Sequence, residues 1–274
     1  MTISFYKYHG AGNDFILIDN RAENFSCLSE KAIAFLCDRH LGIGADGLMF
    51  LEEPIGNADF SMRYFNSDGR ESTMCGNGGR CITAFAKKIL EQKKEYVFSA
   101  IDGLHTAEII SGSEDVSTIR LKMVEVKNVE KRGDDYFLNT GSPHFVRFVN
   151  NVETIDIIAE AQAIRYNEPY LSESGTNVNF VQQIANELLI RTYERGVENE
   201  TLACGTGAVA AAIAAQYRKN ELAENVIYTS QLTTRGGILT VEFCYKNNEF
   251  SDIFLTGQTA FVFEGKIILP SSAN

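Results

Sequence analysis

The sequence predicts an α+β protein built from two similar halves, each made of short strands around one central helix. The phrase MCGNGGRCITAFAKKIL around Cys75 recurs in form as ACGTGAVAAAIAA around Cys204, 129 positions later. Segments such as DFILIDN and GLMFLEE have the length and the β-branched or aromatic content of strands. The stretch AVAAAIAA carries small apolar residues on every side, which is typical of a helix enclosed by other elements.

Further blocks recur in the same order, at offsets that drift only from 128 to 134 residues. The matched pairs are RYFNSDG from Arg63 with RTYERGV from Arg191, GAGNDFI from Gly10 with TGSPHFV from Thr140, GADGLMF from Gly44 with GTNVNFV from Gly175, and DGLHTAEI from Asp102 with GGILTVEF from Gly236. Each match is weak alone, but their common order predicts a duplicated half-chain.

Four helices are predicted. We expect the helix after Cys75 to run to Ile89 and the helix after Cys204 to run to Arg218. The segment SEKAIAFLCDRH predicts a shorter helix that begins at a Ser29 cap, and TIDIIAEAQAIR is its counterpart in the second half. The join between the halves is expected within EVKNVEKRGDDYFL, residues 125–138.

The composition excludes several classes of function. With 274 residues, a net charge of −11 and a pI near 4.9, the chain lacks the basic patches that bind nucleic acid or anionic membranes. No signal-peptide pattern and no apolar run of membrane-spanning length occur, so we expect a cytoplasmic protein with reduced cysteines. The six cysteines form no CxxC pair and the four histidines lie apart from them, so no metal site is expected.

The repeated cysteines point to acid–base chemistry. A thiol at a helix start meets unpaired backbone N–H groups and the positive end of the helix dipole, and both favour the thiolate. If the halves face each other across a cleft, Cys75 and Cys204 would meet a small molecule from opposite sides. One thiolate would remove a proton from carbon while the other thiol supplies one. Helix dipoles give about 0.3–2 kcal/mol each, far below the roughly 8–23 kcal/mol of enzymatic acceleration, so positioning and water exclusion must add the rest.

Together these motifs resemble the diaminopimelate epimerases over nearly the whole chain. The motifs that carry the resemblance are HGAGNDFILID, RHLGIGADGL, YFNSDG, MCGNGGRC, GTNVNFV, ERGVENETLACGTGA and LTGQTAFVFEG. The resemblance implies two pseudo-symmetric halves, each a barrel-like, mainly antiparallel sheet around a central helix. It implies that the last strand returns to the first half, so that the domains are residues 1–125 plus 258–274 with Cys75, and 126–257 with Cys204.

The resemblance also implies an activity and a set of site residues. The activity is cofactor-independent conversion of LL- to meso-diaminopimelate, in lysine and peptidoglycan precursor synthesis, by a homodimer that needs neither metal nor pyridoxal phosphate. Cys75 and Cys204 match the two acid–base thiols, and His144 and Glu194 match residues that tune them. Substrate contacts are implied for Asn13, Asn66, Gly76, Asn77, Asn177, Glu194, Arg195, Gly205 and Thr206.

Three departures from the family pattern bear on substrate detail. Ser142 replaces the usual Asn of Asn-Pro-His, Gly47 follows the Asp of GADG where some members have Gln, and the loop from Glu194 to Cys204 is one residue longer. Two alternatives remain open. One is a racemase or epimerase of proline, hydroxyproline or histidine on the same fold, against which Glu194 and Arg195 argue. The other is a non-catalytic amino-acid sensor, which would leave the paired thiols unexplained.

Overall fold

The computed structural model describes residues 1–25, 27–173 and 175–270, and its chain forms two compact units. The first unit comprises Met1–Leu121 together with the chain from Gln258 onward, and the second comprises Lys122–Gly257.

Strands and helices follow one another in chain order as follows. The strands are β1 (Thr2–Gly10), β2 (Asn13–Asp19), β3 (Gly47–Glu52), β4 (Phe60–Asn66), β5 (Glu71–Ser72), β6 (Glu95–Ala100), β7 (Gly103–Gly112), β8 (Val116–Lys122), β9 (Val129–Arg132), β10 (Asp135–Asn139), β11 (Pro143–Phe148), β12 (Asn177–Ile184), β13 (Glu187–Glu194), β14 (Asn199–Thr201), β15 (Val226–Thr234), β16 (Gly237–Lys246) and β17 (Glu249–Ile268). The α-helices are α1 (Glu30–Cys37), α2 (Gly76–Ile89), α3 (Ile157–Arg165) and α4 (Gly205–Arg218), with a short 3-10 turn at Val152–Thr154.

The first unit is a closed ring of strands around α2. Its pairing runs β1-β2-β3-β4-β6-β7-β8-β17 and returns to β1. Only β2–β3 and β4–β6 are parallel, so the ring is mainly antiparallel. Closing a sheet on itself removes its exposed edges.

The second unit repeats this order around α4. Its strands pair β9-β10-β11-β12-β13-β15-β16-β17, again with two parallel steps, at β11–β12 and β13–β15. A bridge between Val126 and Phe250 links the segment before β9 to β17. The α+β class and the mainly antiparallel, barrel-like halves predicted above are therefore confirmed.

The predicted ends of the two central helices are also confirmed, at Ile89 and Arg218. Every residue of α2 from Gly76 to Ala86 is buried, as is nearly every residue of α4 up to Ala215. Burial of each large apolar side chain, such as Phe85, stabilises the folded protein by about 1.5–3 kcal/mol. In α1 the predicted cap is present, because the Ser29 hydroxyl accepts the N–H of Ala32 at 3.2 Å.

Two of the sequence matches between the half-chains, GAGNDFI with TGSPHFV and GADGLMF with GTNVNFV, differ by one residue from the correspondence that the strand registers give. The first parallel pair is Phe15 with Gly47 in one unit and His144 with Asn177 in the other. The outward side chains agree with this register, since Leu48 packs in the core beneath α1 as Val178 packs beneath α3. Phe15, rather than Asp14, is therefore the counterpart of His144. Similar residues in the two half-chains do not show which face of a strand each one occupies, because the pleat decides this.

Candidate active site

Cys75 and Cys204 each occupy the N-cap position of the buried helix of their own unit. Both have extended backbone conformation, with φ and ψ of −94° and 134° for Cys75 and −116° and 115° for Cys204. The first intrahelical bonds are Gly79 N–H to the Cys75 carbonyl and Ala208 N–H to the Cys204 carbonyl. The N–H groups before Gly79 and Ala208 belong to the helix start, and together with the helix dipole they favour negative charge there.

An amide of fixed orientation lies beside Cys75. The Nδ2 of Asn13 donates to the Asp46 carboxylate, which can only accept, so the Oδ1 of Asn13 faces the helix start. This oxygen accepts from the Nδ2 of Asn77 at 3.2 Å and lies 3.9 Å from the Cys75 sulfur. The sequence implied Asn13 and Asn77 as site residues, and the structure brings both to Cys75.

A buried cation holds Asn77. The Arg80 side chain is fully buried, and its guanidinium donates to the Gly76 carbonyl at 3.1 Å and to the Oδ1 of Asn77 at 2.8 Å. Burial lowers the pKa of Arg80, although a guanidinium stays charged in proteins. Arg80 was not among the sequence-derived site residues. The sequence does carry an indication of it, because a charged residue stands within a helix that is otherwise predicted to be buried. Arg is almost never fully buried unless it is paired.

An ion network anchors the loop that carries Asn13. Asp14 lies 2.7 Å from the Lys7 ammonium and pairs with Arg39, which also reaches Asp46 at 2.6 Å. Burial alone would raise the pKa of Asp14, but Arg39 and Lys7 hold it well below its usual range. Asp46 therefore has two roles, since it joins this network and also orients Asn13.

Substituting Asp46 tests whether the orientation of Asn13 matters. Asp46→Ala removes the acceptor that fixes the amide, and we expect kcat/KM to fall by roughly fivefold, which corresponds to about 1 kcal/mol for one hydrogen bond. Asp46→Asn is the matched control because its amide oxygen still accepts from Asn13. Equal kcat/KM in Asp46→Ala and the wild type, at equal thermal unfolding midpoints, would show that Asn13 needs no such support.

A series of polar side chains, linked by hydrogen bonds, ends at Cys204. The Thr206 hydroxyl lies 3.4 Å from the Cys204 sulfur and 2.9 Å from the Nε2 of His144. On its other side, the Nδ1 of His144 lies 3.1 Å from the Nδ2 of Asn179. His144 and Asn179 are both fully buried, on β11 and β12. The predicted residues His144 and Thr206 thus meet at Cys204.

His144 is uncharged at neutral pH. Burial is the main cause, and with the nearby charge of Arg195 it lowers the pKa of His144 from its ordinary value of 6.5 to about 3. A neutral imidazole has one N–H donor and one acceptor, so its partners decide which nitrogen carries the proton.

The buried neutral state of His144 makes the protein sensitive to acid. In the unfolded chain the imidazole takes up a proton below about pH 6.5, whereas the folded chain does not until about pH 3. The free energy of unfolding therefore falls as pH falls through this window, and the loss between pH 8 and pH 5 should be about 2 kcal/mol. Urea unfolding of the wild type and His144→Gln at both pH values measures it. Parallel pH dependence in the two proteins would contradict the assignment.

Asn177 connects three residues named by the sequence. Its Nδ2 donates to the Ser142 hydroxyl at 2.8 Å and to the Pro143 carbonyl at 3.0 Å. Its Oδ1 accepts the backbone N–H of Arg195 at 2.8 Å. Ser142 is therefore engaged with Asn177, and Asn177 fixes the backbone at Arg195.

The loop after Arg195 is held by Glu198, a residue that the sequence did not single out. Its carboxylate accepts from the Tyr166 hydroxyl at 2.6 Å and pairs with Arg165. Hydrogen bonding to Arg165 is the main reason why its pKa is lowered to about 2. Glu194, at the end of β13, accepts from the Thr201 hydroxyl. The loop from Glu194 to Cys204 is thus held by Glu198 in its middle and by the bond between Glu194 and Thr201.

Asn66 occupies the corresponding strand end in the first unit. It is the last residue of β4, pairs with Gly47 and has an exposed side chain. The structure of this unit therefore places Asn66 at the end of a strand and does not join its side chain to Asn13, Asn77 and Cys75.

Comparison with known proteins identifies the family. The family model described as diaminopimelate epimerase matches residues 5–126 and 136–262. The chain belongs to the diaminopimelate epimerase family. It is 49% identical to a diaminopimelate epimerase of Flavobacterium psychrophilum, over 96% of this chain and 99% of the relative. It is 39% identical to that of Aquifex aeolicus, over 97% and 98% of the two chains.

Solved structures show how widely the fold of the diaminopimelate epimerase family is used. A Bacillus anthracis phenazine biosynthesis protein of the PhzF family superimposes with a TM-score of 0.73 at 14% identity, covering 98% of this chain and 99% of that one. A hydroxyproline epimerase from Agrobacterium vitis gives a TM-score of 0.68 at 14% identity, covering 99% and 94%. At such identities the likeness shows the fold alone.

The described part of the chain offers neither a metal-binding cluster nor a membrane-spanning helix. No group of three or more His, Cys, Asp and Glu side chains there could hold a metal ion. No helix in that part of the chain is both long and apolar enough to cross a bilayer.

Proposed function

We propose that the protein is a cofactor-independent epimerase that converts LL-diaminopimelate to meso-diaminopimelate. One observation carries the proposal: a thiol stands at the equivalent helix start of each unit, in a chain 49% identical to a diaminopimelate epimerase over nearly its full length. A duplicated thiol suits inversion at carbon, because removal and delivery of a proton at opposite faces need two groups.

The proposed reaction moves two protons and leaves the composition of the substrate unchanged. One thiolate takes the α-hydrogen, and the electron pair of the broken C–H bond spreads into the carboxylate as an enediolate. The opposite thiol then protonates the other face of the carbon and becomes the thiolate. The backbone N–H groups of Gly76, Asn77, Gly205 and Thr206 are the proposed donors to the developing charge, where fixed donors have their largest effect.

The distal amino-acid end of the substrate is assigned to Glu194 and Arg195. A carboxylate and a guanidinium match an ammonium and a carboxylate, which a second amino-acid centre presents together. The Asn177 bond to Arg195 N–H and the Thr201 bond to Glu194 support this assignment, since both side chains start from fixed points. Asn13, Asn66 and Asn177 are the proposed amide contacts.

Other substrates are less well supported. The hydroxyproline epimerase shares the fold at 14% identity, whereas the two diaminopimelate epimerases compared above share 49% and 39% identity over at least 96% of both chains. A non-catalytic sensor remains the alternative of another class, and the exchange experiment below separates it.

Further features of the enzyme are also proposals. Family resemblance supports a homodimer, and Val262 and Phe263 on β17, 52% and 45% exposed, supply apolar surface that could be covered. A cytoplasmic location would keep the thiols reduced. Because the thiols themselves move the protons, we expect activity to survive chelation of metals and to need no pyridoxal phosphate.

Hydrogen exchange at the α-carbon tests the function. Purified protein is incubated in heavy water with LL-diaminopimelate, proline, hydroxyproline or histidine, without added cofactor. We expect deuterium at the α-carbon and formation of the meso isomer with diaminopimelate alone. Exchange confined to another amino acid would assign that substrate instead, and binding of diaminopimelate without exchange would identify a sensor.

A further inference from the structure

The orientation of one buried amide decides the direction of the hydrogen bonds that end at Cys204. The Nδ2 of Asn179 lies 2.8 Å from the Phe145 carbonyl, which can only accept, so the amide nitrogen must point to that side. The Thr192 hydroxyl lies 2.9 Å from the Oδ1 and donates to it. Both ends of the amide are therefore fixed by groups outside the proposed substrate site.

This orientation fixes the tautomer of His144. The second N–H of the Asn179 amide points to the Nδ1 of His144, which must be the unprotonated nitrogen. The proton of the neutral ring is then on Nε2, which donates to the Thr206 oxygen at 2.9 Å. Because that oxygen accepts from His144, its own hydrogen is available to the Cys204 sulfur at 3.4 Å.

We infer that Asn179 is a positioning residue that stabilises the Cys204 thiolate through a one-way chain of donors, from Thr192 through Asn179, His144 and Thr206 to the sulfur. The inference rests on the proposed function only for the reason why a thiolate is needed at Cys204. The hydrogen bonds themselves act on the cysteine before any substrate binds. His144 is a donor in this chain and takes no proton from Cys204, because its nearer nitrogen already carries one. Hydrogen bonds to the charged form of a group favour that form.

In the other unit, the residues that match His144 and Asn179 cannot form such a series of hydrogen bonds. The places of His144 and Asn179 are taken by Phe15 and Met49, and Met49 reaches Gly78 as Asn179 reaches Gly207. The amide beside Cys75 presents an acceptor, the Oδ1 of Asn13, instead of a donor. Cys75 therefore serves as an internal reference for the effect on Cys204.

Arg195 is the charge that acts on His144, and it opposes protonation of the ring. Glu194 precedes it on β13 and is bonded to Thr201. No carboxylate contacts the imidazole in the hydrogen bonds described, so the donor direction does not reverse near neutral pH.

The test measures the ionisation of each cysteine without substrate. The full-length protein is alkylated with iodoacetamide from pH 5 to pH 10, and mass spectrometry follows the peptides that contain Cys204 and Cys75 separately. The variants are Asn179→Leu, which removes the donor, Thr206→Val, which removes the last hydroxyl, and their combination. Thr206→Val, which keeps the shape of the side chain, also covers the case in which Asn179→Leu fails to fold.

We expect Asn179→Leu and Thr206→Val each to raise the alkylation midpoint of Cys204 by about one pH unit, a tenfold loss of thiolate at neutral pH. In the double variant the alkylation midpoint of Cys204 should rise no further than in the single variant with the larger effect, because Asn179 acts through Thr206. The midpoint of Cys75 should stay unchanged. An unchanged Cys204 midpoint in Asn179→Leu or, if that variant does not fold, in Thr206→Val would overturn the inference. So would additive shifts, or an equal shift at Cys75. None of these outcomes depends on which amino acid is epimerised.

Discussion

Replacing Cys75 or Cys204 with serine should lower the rate of epimerisation by about a thousandfold or more, while the protein stays folded. General acid–base groups contribute roughly 10²–10⁴-fold, and a hydroxyl is a far weaker acid than a thiol. Serine keeps the shape at the helix start, so the thermal unfolding midpoint should change little. Replacement of the exposed Cys27 by serine is the matched control and should keep full activity.

A partial reaction separates the roles of the two thiols. A β-halogenated substrate analogue needs only loss of the α-proton before the halide leaves, so one thiolate suffices for elimination. We expect Cys75→Ser to retain elimination from one stereoisomer and Cys204→Ser to retain it from the mirror form. Full epimerisation by either variant would rule out the two-thiol mechanism. The same stereochemical preference in both would argue against attack from opposite faces.

The second large effect is expected from Gly207→Ala. A Cβ at this position would lie 2.5 Å from the Oδ1 of Asn179 and 3.4 Å from the Cys204 sulfur. Asn179 cannot yield easily, because it is fully buried and bonded to Thr192, Phe145 and His144. We expect a loss of about 2 kcal/mol in the free energy of unfolding, as for other overpacked sites, and a fall in kcat of roughly tenfold or more.

Gly78→Ala provides the matched control for Gly207→Ala. It has the same place in the first turn of α2, but its Cβ would meet the terminal methyl of Met49, at 2.6 Å. Methionine has three rotatable bonds and adapts, so the cost should stay below about 1 kcal/mol. Urea unfolding and steady-state kinetics of both variants measure the difference. Equal losses in the two variants would show that the amide at position 179 is no more rigid than a methionine.

The sequence identified the helix starts but only part of what surrounds them. The family pattern implies Asn177 as a site residue but gives no indication of Asn179. The sequence nevertheless offers an indication of Asn179. Residues two apart on a strand share one face, and Asn177 is an implied site residue. The sequence does not imply Arg80 and Asp46 as site residues, for a different reason. Their importance lies in which atoms they orient, on Asn77 and on Asn13, and these partners are 3 and 33 residues away along the chain.

What the sequence determined by itself is local or repeated: the duplicated order of elements, the Ser29 cap, the extent of α2 and α4, and a cysteine at the start of each. These follow from periodicity, capping and spacing, which act within a few residues. Only the tertiary structure decided that Phe15 is the counterpart of His144 and that His144 donates toward Cys204. Those facts depend on the register between strands far apart in the chain and on carbonyl, carboxylate and guanidinium groups that permit one hydrogen-bond direction only.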